Sequence, residues 1–155
     1  MSSQFAWVTH QVPVTKWLKT ELATRAPHLS FAFARPGLTT FKIDGPADDT
    51  IVVPSSFARA WGISLGRANK VAEVLALIAP LVRNSSAPLR LHVFERDIDV
   101  PVDEQDAAVR GTRARDIEGD LRAMAPSEGI LFEVDAKAAL GDRVIDVIVP
   151  HASEP

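Results

Sequence analysis

The chain has 155 residues, a mass of 16.8 kDa and a formal net charge of −3, and 46% of its residues are hydrophobic against 24% charged. That balance excludes disorder for most of the chain, because enough apolar surface is present to offset the entropy of ordering. With 0 Cys, the chain is also without disulfides, thiolate zinc sites and a cysteine nucleophile.

The first predicted elements are a strand and a helix. Residues 5–10 are rich in aromatic and β-branched side chains, which favours a strand. Pro13 is typical of a helix start, and Pro27 predicts that the helix ends before it. Apolar residues recur between the two prolines at helical spacing and predict one buried stripe, made of Val14, Trp17, Leu18 and Leu22.

A hairpin and an irregular segment come next. Residues 31–34 and 38–43 predict two strands. The turn between them is Arg35-Pro36-Gly37, in which proline presets one backbone angle and glycine accepts a positive one. After a polar loop, residues 55–65 predict a strand or an irregular sheet edge.

The remaining residues predict two helices and three strands. Asn69 is expected to cap a helix whose inward face is Val71, Val74, Leu75 and Ile78. Further along, we predict a strand at 89–94, an acidic connector at 95–106, a helix at 112–125 with Ile117, Leu121 and Met124 inward, and strands at 130–134 and 144–149. This order of elements predicts an α+β fold of two layers, with helices on one face of a mixed sheet.

Most signatures of catalysis are missing from the sequence. There is no glycine-rich phosphate loop, no pair of histidines at metal-ligand spacing and no nucleophile elbow. The acids between Asp97 and Asp106 suit a hard cation, but they lack the pattern of a calcium loop, and a solvated linker is the better interpretation. Residues 1–4 lack a signal-peptide pattern and the apolar run 74–82 is too short to cross a bilayer, so we expect a cytoplasmic protein with no membrane role.

The sign of the charge changes along the chain. Residues 1–96 contain 11 Lys and Arg against 6 Asp and Glu, a net charge of +5, and residues 97–155 contain 6 against 14, a net charge of −8. Such asymmetry indicates partners of different sign, although uneven solvated surfaces also produce it by chance.

Basic and aromatic residues alternate in the positive part of the chain. Cations contact phosphate and aromatic faces stack on unpaired bases, which indicates RNA binding. The competing interpretation is that most of the rings are core, and strand alternation predicts that Phe31 and Phe33 share one buried face. The residues concerned are Lys16, Lys19, Arg35, Lys42, Arg59 and Arg67, with Trp17, Phe31, Phe33, Phe41, Phe57 and Trp61.

Two segments carry a resemblance to a known family. The segment Phe31–Lys42 and the segment Ser55–Trp61 resemble the N-terminal region of bacterial RlmM-type 23S rRNA 2′-O-ribose methyltransferases. The resemblance implies a ferredoxin-like domain, which we predict at residues 1–54. It also implies a THUMP-like α/β domain at residues 55–155, THUMP being an RNA-binding module. In that family a catalytic domain that binds S-adenosylmethionine follows, and we expect it to be absent from this chain.

We therefore expect a non-catalytic RNA-recognition region of an rRNA ribose methyltransferase. RNA, most naturally rRNA, is the expected partner, together with a catalytic domain of the same protein. The residues that we predict to contact RNA are Arg35, Lys42, Arg59 and Arg67. We expect no catalytic residue, metal or cofactor in this chain, because S-adenosylmethionine would belong to the catalytic domain. The alternative is a protein-interaction or dimerisation module of ferredoxin-like fold with no RNA role, since such folds host many functions.

Overall fold

A computed structural model describes residues 4–47, 51–83, 89–96, 111–134, 137, 139 and 141–150. The chain divides into two compact units, the first comprising residues 1–64 and 96–101 and the second residues 65–95 and 102–155. Both units mix helices with strands, which confirms the predicted α+β class. The predicted connector at 95–106 falls largely outside the described residues.

The first unit is a four-stranded sheet with one α-helix. Every neighbouring pair of strands is antiparallel, and the order across the sheet is β2-β3-β1-β4. The elements are β1 (Phe5–Thr9), a short 3-10 turn (Val12–Val14), α1 (Thr15–Arg25), β2 (Leu29–Arg35), β3 (Leu38–Ile43) and β4 (Ala60–Ile63). Because β4 pairs with β1, the first unit continues to residue 64, past the predicted domain boundary between residues 54 and 55.

Local sequence explains where these elements begin and end. Pro13 lies in the short turn that leads into α1, and the backbone N–H of Ala26 donates to the carbonyl of Leu22 just before Pro27. Gly37 closes the hairpin between β2 and β3 with a φ of 71°, a left-handed conformation that favours glycine.

The core of the first unit lies between the sheet and α1. Alternate residues of β1 and β3 meet two leucines one helical turn apart, and the connection between β3 and β4 packs against the same core. The fully buried side chains there include Ala6, Val8, Leu18, Leu22 and Phe41. Trp17 was predicted to join this stripe, but its side chain is 61% exposed, because α1 presents only Leu18 and Leu22 to the sheet.

In its described residues, the second unit packs two helices against a parallel pair of strands. Its elements are α2 (Val71–Arg83), β5 (Leu89–Glu95), α3 (Thr112–Met124), a short 3-10 turn (Ala125–Glu128) and β6 (Arg143–Val149). The buried side chains between these layers are mainly leucine and isoleucine, namely Leu75, Ile78, Leu89, Leu91, Leu121, Ile130 and Ile145.

Two predictions for this unit are corrected by the structure. Instead of a strand at residues 130–134, the structure has a single parallel bridge between Phe132 and Leu89, beside which the Glu133 backbone N–H donates to the Leu89 carbonyl at 2.9 Å. Met124, predicted to face inward, is 42% exposed at the end of α3, where the helix passes into the 3-10 turn. Across the described part of the chain, no helix is both long and apolar enough to cross a membrane.

Candidate nucleic-acid interface

The sheet of the first unit has one face that α1 does not cover. Strand register places alternate residues of all four strands on it, opposite to the buried Ala6, Val8 and Phe41. We call this surface the outer face, and define it by Phe5, Trp7, Thr9, Phe33, Arg35, Leu38, Thr40, Lys42, Ala60 and Gly62.

Trp7 lies half-buried near the middle of the outer face. Its cross-strand neighbours are Thr40 on β3 and Gly62 on β4. A Cβ atom at position 62 would stand only 3.0 Å from the Trp7 Nε1 atom and 3.1 Å from Cε2, so the indole lies close over the bare backbone of β4. A glycine here is therefore explained by close approach of a ring.

A β-bulge decides which way Phe33 faces. The register shifts between Phe31 and Phe33, so that Phe31 pairs with Phe41 while Phe33 pairs with Thr40. Phe31 consequently lies on the helix side, 6.5 Å from the Phe41 ring with the Lys19 ammonium 3.7 Å from its own centroid. The prediction that Phe31 and Phe33 share a face is wrong, because the extra residue of the bulge reverses the alternation.

Two of the predicted RNA-binding residues lie on the outer face. Arg35 ends β2, where its guanidinium carbon is 5.2 Å from the Phe33 ring centroid, and Lys42 lies near the end of β3. Both are exposed, and they stand at opposite ends of the face, about 13 Å apart along the strand direction. No ion pair among the described residues involves either cation.

The other two predicted residues lie elsewhere. Arg59 immediately precedes β4, and its backbone N–H donates to the carbonyl of Thr9 at 2.8 Å, which places it at the Arg35 end of the sheet. Arg67 belongs to the second unit, in the segment before α2, and is not part of this sheet. Both side chains are exposed.

Acids are sparse on this surface. None of the paired positions that define the outer face is acidic. Asp44 follows β3 two residues after Lys42, and its Oδ2 atom accepts a hydrogen bond from the Ser30 hydroxyl at 3.4 Å. The face therefore carries a positive charge at each end, with one carboxylate beside the Lys42 end.

A further cation was missed by the sequence analysis. Arg96 belongs to the first unit although it follows β5 in the chain, and it is only 8% exposed. Burial, together with the nearby positive charge of Arg35, lowers the pKa of the Arg96 guanidinium. Sequence reasoning had placed Arg96 in the solvated connector, because only tertiary structure shows its burial.

Phe5 and Trp7 were also missed as site residues. They were predicted only as part of a strand at residues 5–10, and other rings were predicted to stack on bases. The structure places Phe41 and Phe57 in or against the core, and Trp61 donates from Nε1 to the Ile51 carbonyl at 3.1 Å. Alternation within β1 was the available signal, since Ala6 and Val8 on one face leave Phe5 and Trp7 on the other.

Two basic side chains on β5 of the second unit lie beside acids. Arg90 donates from Nε to Asp142 Oδ2 at 2.6 Å, and the ring nitrogen Nδ1 of His92 donates to Asp146 Oδ1 at 2.9 Å. The Phe94 ring lies 4.9 Å from the imidazole. Within the described ranges, no group of three or more His, Cys, Asp or Glu side chains is arranged to hold a metal ion.

Comparison with known proteins adds no assignment to this geometry. No family model matches the chain, and no curated protein matches it either.

Proposed function

We propose that the chain is an RNA-recognition region and that the outer face of its first unit contacts the RNA. The observation that carries the proposal is the placement of Arg35 and Lys42 on one sheet face together with Phe5, Trp7 and Phe33. The cations at the two ends of the face can contact the phosphates of an RNA strand that crosses the sheet, and the rings between them can stack on its bases.

The resemblance to RlmM-type rRNA ribose methyltransferases supplies the biological setting of the proposal. In that setting this chain grips rRNA without catalysing a reaction, and a separate domain that binds S-adenosylmethionine methylates one ribose. Arg35 and Lys42 would position the backbone, since phosphate contacts set register and orientation.

The strand order of the first unit supports a ferredoxin-like domain. A ferredoxin-like fold has the element order β-α-β-β-α-β, and the first four of those elements match β1, α1, β2 and β3. The second helix has no counterpart in residues 44–47 and 51–59, where an irregular connection packs against α1 instead. The Glu21 carboxylate accepts hydrogen bonds from the Ser55 hydroxyl and the Ser56 backbone there. On the resemblance alone we propose that the second unit is THUMP-like, with the main RNA contact on the outer face of the first unit, because acids pair with the outward basic side chains of β5.

The test is RNA binding by the whole chain, measured by fluorescence anisotropy with a labelled rRNA hairpin at several salt concentrations. The double variant Arg35→Glu/Lys42→Glu should bind far more weakly than the parent. The variant should also show a weaker dependence on salt. Each phosphate contact to a single strand contributes about 0.7 to the slope of log affinity against log salt, so the loss of two contacts should reduce the slope by about 1.4.

A matched control distinguishes RNA binding at the outer face from general attraction between RNA and any positive charge of the chain. Lys70 and Arg83 are exposed cations of the second unit, and Lys70→Glu/Arg83→Glu changes the net charge by the same amount. We expect this control to bind nearly as well as the parent. Equal losses in both double variants would contradict an RNA face on the first unit. A parent chain that binds no RNA at low salt would favour the protein-interaction module.

A further inference from the structure

We infer that the outer face takes unpaired nucleotides, with two bases stacked on Trp7 and Phe33, so that the ligand is single-stranded RNA rather than a duplex. The inference rests on the proposed function and names its substrate class. Stacking needs the flat face of a base, which a duplex keeps inside its own stack, whereas phosphate contacts alone would suit either form.

The spacing of the rings fits separate bases. Trp7 and Phe33 are both paired with Thr40 from opposite sides of β3, so two strand spacings, about 10 Å, separate their backbones. Phe5 lies two residues from Trp7 on the same strand, about 7 Å away. A single strand crossing the sheet could place successive bases on these rings in an extended, unstacked form.

The rings are held in place before any ligand arrives. The indole of Trp7 lies over the backbone of Gly62, where no side chain competes for the space. The guanidinium of Arg35 lies over the Phe33 ring, and the same group can reach a phosphate beside a stacked base. Side chains ordered in advance lose less entropy on binding, which raises affinity without new contacts.

Charge selects the occupant of this face. An apolar partner, such as a second copy of the chain, would have to cover the Arg35 end of the outer face, where none of the paired positions is acidic. A polyanion with exposed aromatic bases satisfies both the charge and the rings.

The experiment compares two RNA probes on the full chain. Anisotropy is measured with a labelled oligouridylate and with a blunt-ended RNA duplex of equal length. We expect the single strand to bind more than about tenfold tighter than the duplex, and to quench tryptophan fluorescence as it stacks. Equal affinity for the two probes would overturn the inference and leave the proposed function standing. No binding of either probe, or of the rRNA hairpin, would remove the proposed function itself.

Substitutions locate the stacking. Trp7→Ala and Phe33→Ala should each lower affinity for the oligouridylate by about fivefold to a hundredfold, with little effect on the salt slope. Trp17→Ala is the matched control, because Trp17 is exposed on α1, away from the outer face. Unchanged affinity in both outer-face variants would overturn the inference.

Two additional measurements keep the test decisive. Trp7→Phe retains a ring, so it should keep most of the affinity while losing the quenching, which checks the result should Trp7→Ala unfold the chain. Sedimentation equilibrium distinguishes the other occupant. A stable dimer of the parent that Trp7→Phe or Phe33→Leu dissociates would assign the outer face to a second copy of the chain and overturn the inference.

Discussion

In the second unit the outward basic side chains of β5 form ion pairs with acids, whereas in the first unit no ion pair among the described residues involves Arg35 or Lys42 on the outer face. Arg90 and His92 are matched by Asp142 and Asp146, which occupy positions at or just before β6. Arg35 and Lys42 have no such partner on the neighbouring strands. The difference shows that ion pairing decides how much of the charge on a sheet surface is available to a ligand.

The physical reason is that the electric field of an ion pair extends over a much shorter distance than the field of a single charge. Opposite charges a few ångströms apart cancel at larger distances, and salt screens what remains within about 8–10 Å. A basic residue therefore contributes to binding an anion mainly when no ion pair neutralises its charge. The charge totals of the two halves of the sequence, +5 and −8, indicate the direction of this contrast but cannot show which cations are matched.

The largest expected effect comes from removing a core side chain from either unit. Phe41→Ala in the first unit should lower the free energy of unfolding by about 3–5 kcal/mol, and Leu121→Ala in the second by about 2–5 kcal/mol, because each leaves a cavity in a buried cluster. Urea unfolding gives the size of the loss. Amide hydrogen exchange should assign the first loss to β1 and β3 and the second to α3 and β5. A loss below about 1 kcal/mol at either site would show that the cluster does not hold its unit together.

An intermediate effect should appear on acidification, through one carboxylate in each unit. The Ser55 hydroxyl lowers the pKa of Glu21, and the backbone N–H of Ala139, followed by Arg90, lowers the pKa of Asp142. A folded-state pKa below the ordinary value means that the folded protein binds the proton less readily than the unfolded chain does. The stabilisation is thus complete above the ordinary values of 4.5 and 3.8 and is lost as the pH falls below them.

Thermal unfolding between neutral pH and pH 3 measures this loss. Glu21→Gln and Asp142→Asn should each lower the Tm at neutral pH and make the remaining Tm less dependent on pH. A variant whose Tm falls with acid as steeply as that of the parent would show that the carboxylate in question is not the group that titrates.

The smallest expected effect is that of Trp17→Ala. Because this side chain is 61% exposed on α1, its removal should change the free energy of unfolding by no more than about 0.5 kcal/mol. Alanine also has the higher helix propensity, which offsets part of any lost contact. Chemical denaturation of the variant measures the change. A loss of several kcal/mol would mean that Trp17 is buried, and would reverse the assignment of the outward face of α1.

Much of the secondary structure could be predicted from local pattern. Three local signals predicted elements that are present in the structure. They are the two prolines that flank α1, the glycine turn before β3, and the alternation of apolar and polar residues within β5. The Trp17 error arose because four apolar residues fit a helical stripe, while the sheet accepts only two of them, Leu18 and Leu22. Periodicity shows which residues are apolar at a given spacing, but the partner surface decides how wide the buried stripe is.

The candidate site could be predicted only in part. Arg35 and Lys42 were predicted to contact RNA because they lie at the tip of a hairpin and near the end of its second strand. Both positions are exposed in a hairpin, and a hairpin can be recognised from local sequence. Phe33 was assigned to the wrong face because a β-bulge changes the alternation without leaving a signal in hydrophobicity. Trp7 was overlooked because its importance depends on Gly62, a residue far away in the sequence.

By itself the sequence determined the α+β class, the positions of most helices and strands and the excess of positive charge in residues 1–96, since these depend on neighbours within a few residues or on composition. Only the tertiary structure decided that β4 completes the first sheet, that Phe33 shares a face with Trp7, and that Arg96 is buried near Arg35. Each of these depends on contacts between residues distant in the chain. Such contacts follow from how whole surfaces fit together, and no local pattern encodes that fit.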